Sequence, residues 1–371
     1  MEMTRGFASG TPSVVAIPAC NEAGCIEACL AALTREAIRP PDVIVVLVNN
    51  TADDTAARAA AMSGHGSRVV VVERTFAPPY ANAGHARAEA MRIAAAIAGP
   101  DGFVLTTDAD GRVDPDWLPA NLELLSREID VVAGWVELDP ADWARIPMSL
   151  HEADARECEY DDLCDRIVDR LDPDPVDPWP RHTQCSGASL ALRGATFLAC
   201  GGVPDVASGE DRALVDAARR IDARIRHAPQ VHAHVSGRTV GRAPGGMAET
   251  IARRLAEPDL FLDDRLEPVD GVMRRARLRR RARLVHADRT GIDDLAIHAL
   301  AGCLSLSACH VAEVLEGRYF GSAWAALEAA SPVLARRRVS VVELDRELAR
   351  ARNWLVTARP VDRTDPAMFD V

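Results

Sequence analysis

Four short apolar runs mark the first half of the chain as a series of strands. They cover residues 13–18, 43–48, 68–73 and 102–107. Nearly continuous runs of this kind, rich in valine and isoleucine, are typical of strands that are buried on both faces of a parallel sheet. The pattern therefore predicts at least four strands in this half of the chain.

Helical patterns fill the spaces between these runs. Ile26, Leu30 and Leu33 recur at helical spacing, and the alanine-rich residues 86–98 have a high helix propensity. Alternating strands and helices predict an α/β fold, with a Rossmann-like, mainly parallel sheet flanked by helices and joined by right-handed crossovers. In such sheets ligands bind at the carboxyl ends of the strands.

The second half of the chain is less regular. Residues 151–171 predict a charged helix, 172–180 a loop, 186–192 a further strand and 211–221 another helix. After about Gly246 the sequence is helical and rich in arginine. We therefore expect a separate helical region at residues 246–371.

The composition and net charge argue against some classes of binding partner. Hydrophobic residues make up 48% of the 371 residues, which is enough to bury a substantial core. The net charge of -12 and the 4% aromatic content argue against nucleic acid as a partner. One basic run, residues 274–283, is interpreted mainly as a solvated helix face, with contact to phosphate or to an anionic membrane as a second interpretation.

No segment of the sequence predicts a transmembrane helix. The most apolar stretch, residues 295–315, contains His298, His310 and Glu313, so we interpret it as a buried helix. Residues 1–12 lack the apolar core of a signal peptide, and the nine cysteines show no zinc-site spacing. These features predict a soluble, cytoplasmic protein in a reducing compartment, and an oligomer is compatible with them.

Two carboxylates directly follow the fourth predicted strand. Asp108 and Asp110 are separated only by Ala109, so they project from the strand end into the expected ligand crevice. Carboxylates completed by water molecules suit Mg²⁺ or Mn²⁺, and a cation there would neutralise a diphosphate leaving group. An Asp-x-Asp pair also occurs in ordinary surface loops, so the pair alone does not define a site.

The first two predicted strands also end in polar residues. Cys20-Asn21-Glu22 follows the first strand, and Asn49-Asn50-Thr51-Ala52-Asp53-Asp54 follows the second. Such side chains can bind a base edge or ribose hydroxyls. Helix capping by Asn and Asp is the alternative, and for Asp53 it is about equally favoured.

Taken in order, these features resemble the family 2 glycosyltransferases of the GT-A fold. The resemblance extends over about residues 13–238. It rests on the following segments: Val14-Val15-Ala16-Ile17-Pro18-Ala19-Cys20-Asn21-Glu22, Asn50-Thr51 with Asp53, Gly84-His85-Ala86-Arg87, Asp108-Ala109-Asp110, Ser186-Gly187-Ala188, Gly201-Gly202, Gly209-Glu210-Asp211-Arg212, and His232 and His234 before Ser236-Gly237-Arg238.

The resemblance implies a role for each matching residue. The residues implied in binding the nucleotide or its diphosphate are Pro18, Ala19, Glu22, Asn50, Asp53, Arg87, Asp108 and Arg238. Asp110 and His234 are implied as ligands of Mn²⁺ or Mg²⁺; His232 competes for this position, and His234 is preferred because it directly precedes Val235-Ser236-Gly237-Arg238. Asp211 is implied as the catalytic base and Glu210 as a residue that orients a neighbouring group or the acceptor.

The resemblance also implies the domain organisation and the reaction. Residues 1–245 would form the GT-A domain, with a donor-binding half at about 13–136 and an acceptor half at about 137–245, followed by the helical region 246–371. The expected reaction is metal-dependent transfer of a hexosyl group from a UDP- or GDP-sugar to a small soluble acceptor. Inversion, with Asp211 removing the acceptor proton, is preferred, and a retaining outcome remains open.

Other functions fit the sequence less well. A sugar nucleotidyltransferase would use a similar sheet and metal, but such enzymes carry a glycine-rich basic loop after the first strand; here that turn is the acidic Pro18-Ala19-Cys20-Asn21-Glu22. A dinucleotide-dependent dehydrogenase fails for the same reason. A non-catalytic nucleotide-sugar-binding protein is the other alternative, and the retained carboxylates argue against it. A processive, membrane-embedded synthase is disfavoured because its acceptor-side Gln-x-x-Arg-Trp motif is absent.

Overall fold

A computed structural model describes residues 10–64, 66–206, 208–241, 246–288 and 294–358. These residues form two compact units. The first unit comprises the chain up to Arg145 together with Gln184–Ala218 and Ala223–Ala252. The second comprises Ile146–Thr183, Arg219–Asp222 and the chain from Arg253 onwards.

This division differs from the predicted one in the middle of the chain. The predicted boundary followed residue 245, whereas the first unit extends to Ala252. The predicted acceptor half, residues 137–245, included the long charged helix, and the structure groups Ile146–Thr183 with the C-terminal helices instead. The reason is packing, because the apolar side of that helix lies against the helices that follow residue 268.

The first unit is built on an eight-stranded sheet. Its order is β3-β2-β1-β4-β7-β6-β8-β5. The strands are β1 (Ser13–Ala19), β2 (Val43–Asn49), β3 (Arg68–Arg74), β4 (Phe103–Thr106), β5 (Arg112–Val113), β6 (Val131–Leu138), β7 (Leu190–Arg193) and β8 (Ile225–Val235). The first four strands are parallel and β6 is parallel to β8, while β7 and β5 pair antiparallel to their neighbours. The predicted mainly parallel α/β sheet is thereby confirmed.

Burial explains which strands the sequence pattern revealed. The central strands β1 and β2 are almost wholly buried, as their unbroken apolar runs indicate. The edge strand β3 is only partly buried, so the expectation that it is covered on both faces is wrong. The short β5 and the long β6 were not predicted.

Helices cover the sheet of the first unit. They are α1 (Ile26–Leu33), α2 (Thr55–Ala61), α3 (Ala83–Ala98), α4 (Trp117–Ser126), α5 (Pro140–Trp143), α7 (Gly194–Ala199), α8 (Glu210–Arg220) up to Ala218, and α9 (Met247–Ala256) up to Ala252. Helix α3 packs with the fully buried Ala86, Ala90 and Ala94 against β1 and β2. Small side chains allow this helix to approach the sheet closely, which matters because α3 carries Arg87 toward the strand ends.

The second unit is helical. It contains α6 (Met148–Leu171), α10 (Val269–Ala287), α11 (Asp294–Leu304), α12 (Ala308–Leu315), α13 (Phe320–Ala330), α14 (Leu344–Thr357) and the short 3₁₀ turns Pro332–Leu334 and Val341–Glu343. One apolar cluster joins α6, α10 and α14, and a second joins α10 to α11, α12 and α13. The predicted C-terminal helical region is therefore present among the described residues.

The basic run on α10 is not simply a solvated face. Nη1 of Arg279 donates to Oδ2 of the buried Asp172 at 2.8 Å, and Arg283 binds the other carboxylate oxygen. Nε of Arg275 donates to Oε1 of Glu267 at 2.6 Å. The interpretation of the whole run as solvent-facing is wrong for these arginines, because carboxylates distant in sequence neutralise them inside the unit.

The apolar residues 295–315 form two helices instead of the predicted single one. Helices α11 and α12 are bent by 110° at the intervening break. Within the described parts of the chain, no single helix has both the length and the apolar composition needed to span a bilayer; only this bent pair passes that criterion jointly.

Candidate active site

The polar strand ends meet at one edge of the sheet in the first unit. Strands β2 and β4 both run parallel to β1, one on each side of it. The segments that follow these three strands carry Glu22, Asn50, Asp53, Asp108 and Asp110. The tertiary structure thus brings together the acidic residues that the sequence predicted for one ligand crevice.

The loops that follow β1 and β2 are tied to one another. Asn50 adopts a left-handed conformation (φ 48°), which asparagine tolerates, and its side chain bonds the backbone of Phe76. Asp53 accepts the Ala23 N–H at 3.1 Å and the Thr55 N–H at 3.0 Å. Both predicted nucleoside-binding side chains therefore also shape the loops. The N-cap residue of α2 is Asp54, and its side chain makes no capping hydrogen bond.

Pro18 and Ala19 form the last residues of β1. They stand opposite Leu47 and Val48 of β2, and Ala19 is buried. Any contact of these two residues with a nucleoside would therefore involve mainly their backbone and the adjoining turn.

Arg238 joins two of the carboxylates. Its guanidinium donates to both oxygens of the buried Glu22, at 2.9 and 3.1 Å, and lies 3.1 Å from Oδ2 of Asp110. Burial raises the pKa of Asp110, the neighbouring Asp108 and Glu22 add to this effect and Arg238 opposes it, so that the pKa is about 6. The cluster thus holds more negative charge than one arginine can offset.

Arg87 connects the aspartate pair with the start of α8. Its side chain is only 7% exposed. Nη2 donates to Oδ1 of Asp108 at 2.6 Å, Nε to Oε1 of Glu210 at 3.0 Å, and Nη1 to the Thr106 hydroxyl and the Gly187 carbonyl, each at 2.9 Å. This arginine therefore positions two carboxylates, and its role near the base or diphosphate stays a prediction.

Gly187 allows Arg87 to lie where it does. A Cβ atom at Gly187 would come within 2.4 Å of Cζ of Arg87. The Gly187 N–H donates to Oδ2 of Asp211 at 2.9 Å, while the other oxygen of Asp211 accepts the N–H of Arg212 at 2.7 Å. Residues 186–189, predicted as part of a strand, lie outside β7 and form this connection instead.

The backbone of His234 lies close to that of the aspartate pair, but its side chain contacts other carboxylates. In the β5–β8 pairing it is opposite Arg112, two residues after Asp110. Its Nε2 lies 3.2 Å from Oδ1 of Asp114, and its Nδ1 lies 3.4 Å from Oε1 of Glu137. The structure thus places a different carboxylate, not Asp110, next to the predicted histidine ligand.

The donor set at this edge fits a hard divalent cation. Among the residues that the structure describes, no three His, Cys, Asp or Glu side chains are grouped as a complete metal cage. Mg²⁺ and Mn²⁺ sites in phosphate-handling proteins commonly use one or two carboxylates, with water and substrate oxygens completing the shell. The close approach of Asp108, Asp110 and Glu22 adds to the effect of burial in raising the pKa of Asp110, and a bound cation would lower it again.

Two contributors were missed in the sequence analysis. The Thr106 hydroxyl and the Gly187 carbonyl both accept from Arg87. Thr106 was interpreted only as a strand residue, and Gly187 only as part of a family-like segment. The positively charged Arg87 in an otherwise alanine-rich, buried helix was the available signal, since a buried arginine requires several acceptors.

Comparison with solved structures finds similar folds at low identity. A mannosyltransferase from Pyrobaculum calidifontis in complex with GDP-Man and Mn²⁺ is 18% identical, with 94% of this chain and 88% of that chain covered and a TM-score of 0.44. Glucosyl-3-phosphoglycerate synthase from Mycobacterium tuberculosis, in complex with Mn²⁺, UDP and phosphoglyceric acid, is 19% identical, with 68% and 82% covered and a TM-score of 0.41. No curated protein matches the sequence.

A family model provides the assignment. The model described as "Glycosyl transferase family 2" matches residues 14–196. This range contains β1–β4, the loops with Glu22, Asn50 and Asp53, the Arg87 helix, and the Asp108–Asp110 pair. Residues 14–196, just under half of the chain, are thus assigned to glycosyl transferase family 2.

Proposed function

We propose that this glycosyltransferase moves a hexosyl group from a UDP- or GDP-sugar to a hydroxyl group of a small acceptor, with Mn²⁺ or Mg²⁺ bound at Asp110. The observation that carries the proposal is the Arg87 bridge. One buried guanidinium links Asp108, beside the cation carboxylate, to Glu210, which directly precedes Asp211. A donor-side and an acceptor-side carboxylate are thereby set in one rigid arrangement.

The cation would neutralise the diphosphate of the donor. Asp110 is the stronger of the two aspartate candidates, because its contact with Arg238, at 3.1 Å, is longer than the 2.6 Å contact of Asp108 with Arg87, and its carboxylate is the more buried of the two. His234 is the proposed second protein ligand, which would require it to exchange Asp114 for the cation. When bound, the cation supplies electrostatic stabilisation of the leaving nucleoside diphosphate.

Arg238 complements the cation at the same place. It lies beside Asp110 and is held by both oxygens of Glu22. A guanidinium that is oriented in this way has N–H groups left to bind a phosphate oxygen. We therefore assign Arg238 to the diphosphate, and Pro18, Ala19, Glu22, Asn50 and Asp53 to the nucleoside.

Asp211 is the better candidate for the catalytic base. Glu210 is bound to Arg87, which neutralises it and holds it in place. Asp211 accepts hydrogen bonds from the backbone N–H groups of Gly187 and Arg212 and is partly exposed, so its carboxylate can accept a proton from an approaching hydroxyl. Direct displacement with inversion follows from this assignment, and Glu210 acts by orienting its neighbours.

A thermal-shift screen with UDP and GDP, each with and without Mn²⁺, tests the donor site. A ligand that binds the folded state raises the melting temperature by mass action. We expect a shift that depends on Mn²⁺ in the native protein and is lost in Asp110→Asn. Asp101→Asn changes an exposed aspartate at the opposite end of β4 and serves as the matched control. An equal shift in both variants would remove Asp110 from the site.

The products of donor turnover test the reaction class. Incubation with a UDP- or GDP-sugar and Mn²⁺ should release the nucleoside diphosphate, with the sugar passed to an acceptor or to water. Release of pyrophosphate from a nucleoside triphosphate and a sugar phosphate would instead identify a nucleotidyltransferase. Donor binding without any turnover across a panel of acceptors would support the non-catalytic alternative.

A further inference from the structure

A second site is indicated by a cavity inside the helical unit. The cavity has a volume of about 540 Å³ and lies between the start of α10, the turn Pro332–Leu334 and helix α14. Five arginines line it: Arg274, Arg275, Arg337, Arg346 and Arg350. Two carboxylates, Glu267 and Asp270, share the lining, and they bind Arg275 and Arg350.

Carboxylates outside the wall hold four of these arginines in place, and Glu328 is the one that binds Arg275. Glu343 lies 3.0 Å from a guanidinium nitrogen of both Arg337 and Arg346. The buried Glu347 lies 3.1 Å from Nη1 of Arg350. Each guanidinium has five N–H donors, and these contacts occupy only part of them. The remaining donors are therefore oriented in advance for a ligand.

The guanidinium of Arg274 has all of its N–H donors available for a ligand. It is exposed, and within the described residues it makes no hydrogen bond or ion pair. Arg277, one turn further along α10, is also exposed and without such a partner, but it does not line the cavity. The two residues form a matched pair for separating binding in the cavity from the general charge of the helix.

The size and chemistry of the cavity define the class of ligand. Pockets for small molecules typically measure about 300–1,000 Å³, so this one has room for a compact metabolite. Arginine forks match the oxygens of a phosphate group, and Val333, Leu334 and Ala335 add an apolar wall for a short carbon skeleton. We propose that this cavity binds a small phosphorylated molecule through its phosphate group, independently of the donor site in the first unit.

Inorganic phosphate is the probe for a direct test with the full chain. Phosphate is titrated at constant ionic strength set with NaCl, in the presence of EDTA to exclude divalent cations, and the melting temperature is followed. We expect a saturable increase in the native protein. Arg274→Gln should weaken the apparent affinity about tenfold, the scale of losing one charged hydrogen bond, and Arg277→Gln should behave like the native protein.

Three outcomes would overturn the proposal. The first is a non-saturating increase that NaCl alone reproduces, and the second is an equal response of Arg274→Gln and Arg277→Gln. The third is loss of phosphate binding in Asp110→Asn, because this would place the phosphate in the donor site. Retention of binding in Asp110→Asn, together with its loss in Arg274→Gln, supports a separate cavity site whether or not the proposed glycosyl transfer is correct.

Discussion

Arg87 and Asp108 form a short ion pair in the active site, with Nη2 of the arginine 2.6 Å from Oδ1 of the aspartate. The same guanidinium lies 3.0 Å from Oε1 of Glu210. Because the arginine is buried and the Glu210 side chain is only 13% exposed, the attraction is weakly screened, and the three groups behave as one unit. The function of Arg87 is therefore to position carboxylates.

Substitution of Arg87 should affect both stability and turnover. Arg87→Ala leaves buried carboxylates without a partner, which should lower the free energy of unfolding by ~3–5 kcal/mol. Arg87→Lys keeps the charge but cannot bridge four acceptors, so kcat should fall more than the KM for the donor rises. Denaturant unfolding and steady-state kinetics measure these effects. Arg92→Lys, exposed on the same helix, is the control, and an equal loss there would contradict the positioning role.

Gly187→Ala should reproduce part of the loss of stability and turnover that is expected for the Arg87 variants, without changing a charged residue. The added methyl group would lie 2.4 Å from Cζ of Arg87, so the guanidinium or the loop must shift. We expect a loss of ~1–3 kcal/mol in stability, the usual cost of overpacking, and a lower transfer rate. Gly24→Ala, where a Cβ meets no atom within 4 Å, is the control. Combining Gly187→Ala with Arg87→Lys should give less than the sum of the two effects.

Asp211→Asn should slow transfer while leaving donor binding intact. The amide keeps the size of the side chain but removes the proton acceptor, so the rate should fall by ~10²-fold or more. Asp205→Asn, an exposed aspartate shortly before α8, should retain native activity. Near-native transfer by Asp211→Asn, or a parallel loss of donor affinity, would assign Asp211 another role. Glu210→Gln would then be tested as the alternative base.

The two histidines at the end of β8 can be separated by substitution. They lie two residues apart in regular pairing with β6, and therefore on the same face of the strand. We expect His234→Ala to weaken the stabilisation by nucleoside diphosphate with Mn²⁺, and His232→Ala to preserve it. Thermal shifts over a range of Mn²⁺ concentrations give the comparison. If His232→Ala weakens this stabilisation and His234→Ala preserves it, His232 is the ligand.

The folding stability is expected to depend on pH through Asp161, a residue of the second unit. Burial raises the pKa of this carboxyl from its ordinary value of 3.8, although the Thr183 hydroxyl binds the ionised form. A carboxyl with a raised folded-state pKa destabilises the fold where it is ionised, and this penalty grows as pH rises from the ordinary value through the raised one.

Asp161→Asn should consequently raise the melting temperature at pH 7.5, and the advantage should disappear toward pH 3.8. Melting curves across this range provide the measurement. Glu152→Gln, which changes an exposed residue of the same helix, should show no such trend. A lower melting temperature for Asp161→Asn at neutral pH would mean that the ionised form stabilises the fold.

Local sequence patterns were sufficient to predict much of the secondary structure of the first unit. Unbroken apolar runs identified β1, β2 and β4, and alanine-rich helical spacing identified most of α3. These patterns are readable because burial on both faces or on one helical face imposes a fixed period on neighbouring residues. The Asp108–Asp110 pair was recognisable for the same reason, since it directly follows one of these strands.

Contacts between distant residues were decided only by the tertiary structure. Arg87 and Glu210 are 123 residues apart, and no period along the chain connects them. The ionic partners of Arg279 and Arg283 on Asp172, and the grouping of Ile146–Thr183 with the later helices, are likewise products of packing. The sequence alone determined the buried strands β1, β2 and β4 and the polar residues that follow them. Folding determined which charges meet, because charge pairing depends on three-dimensional proximity, on which local sequence carries no signal.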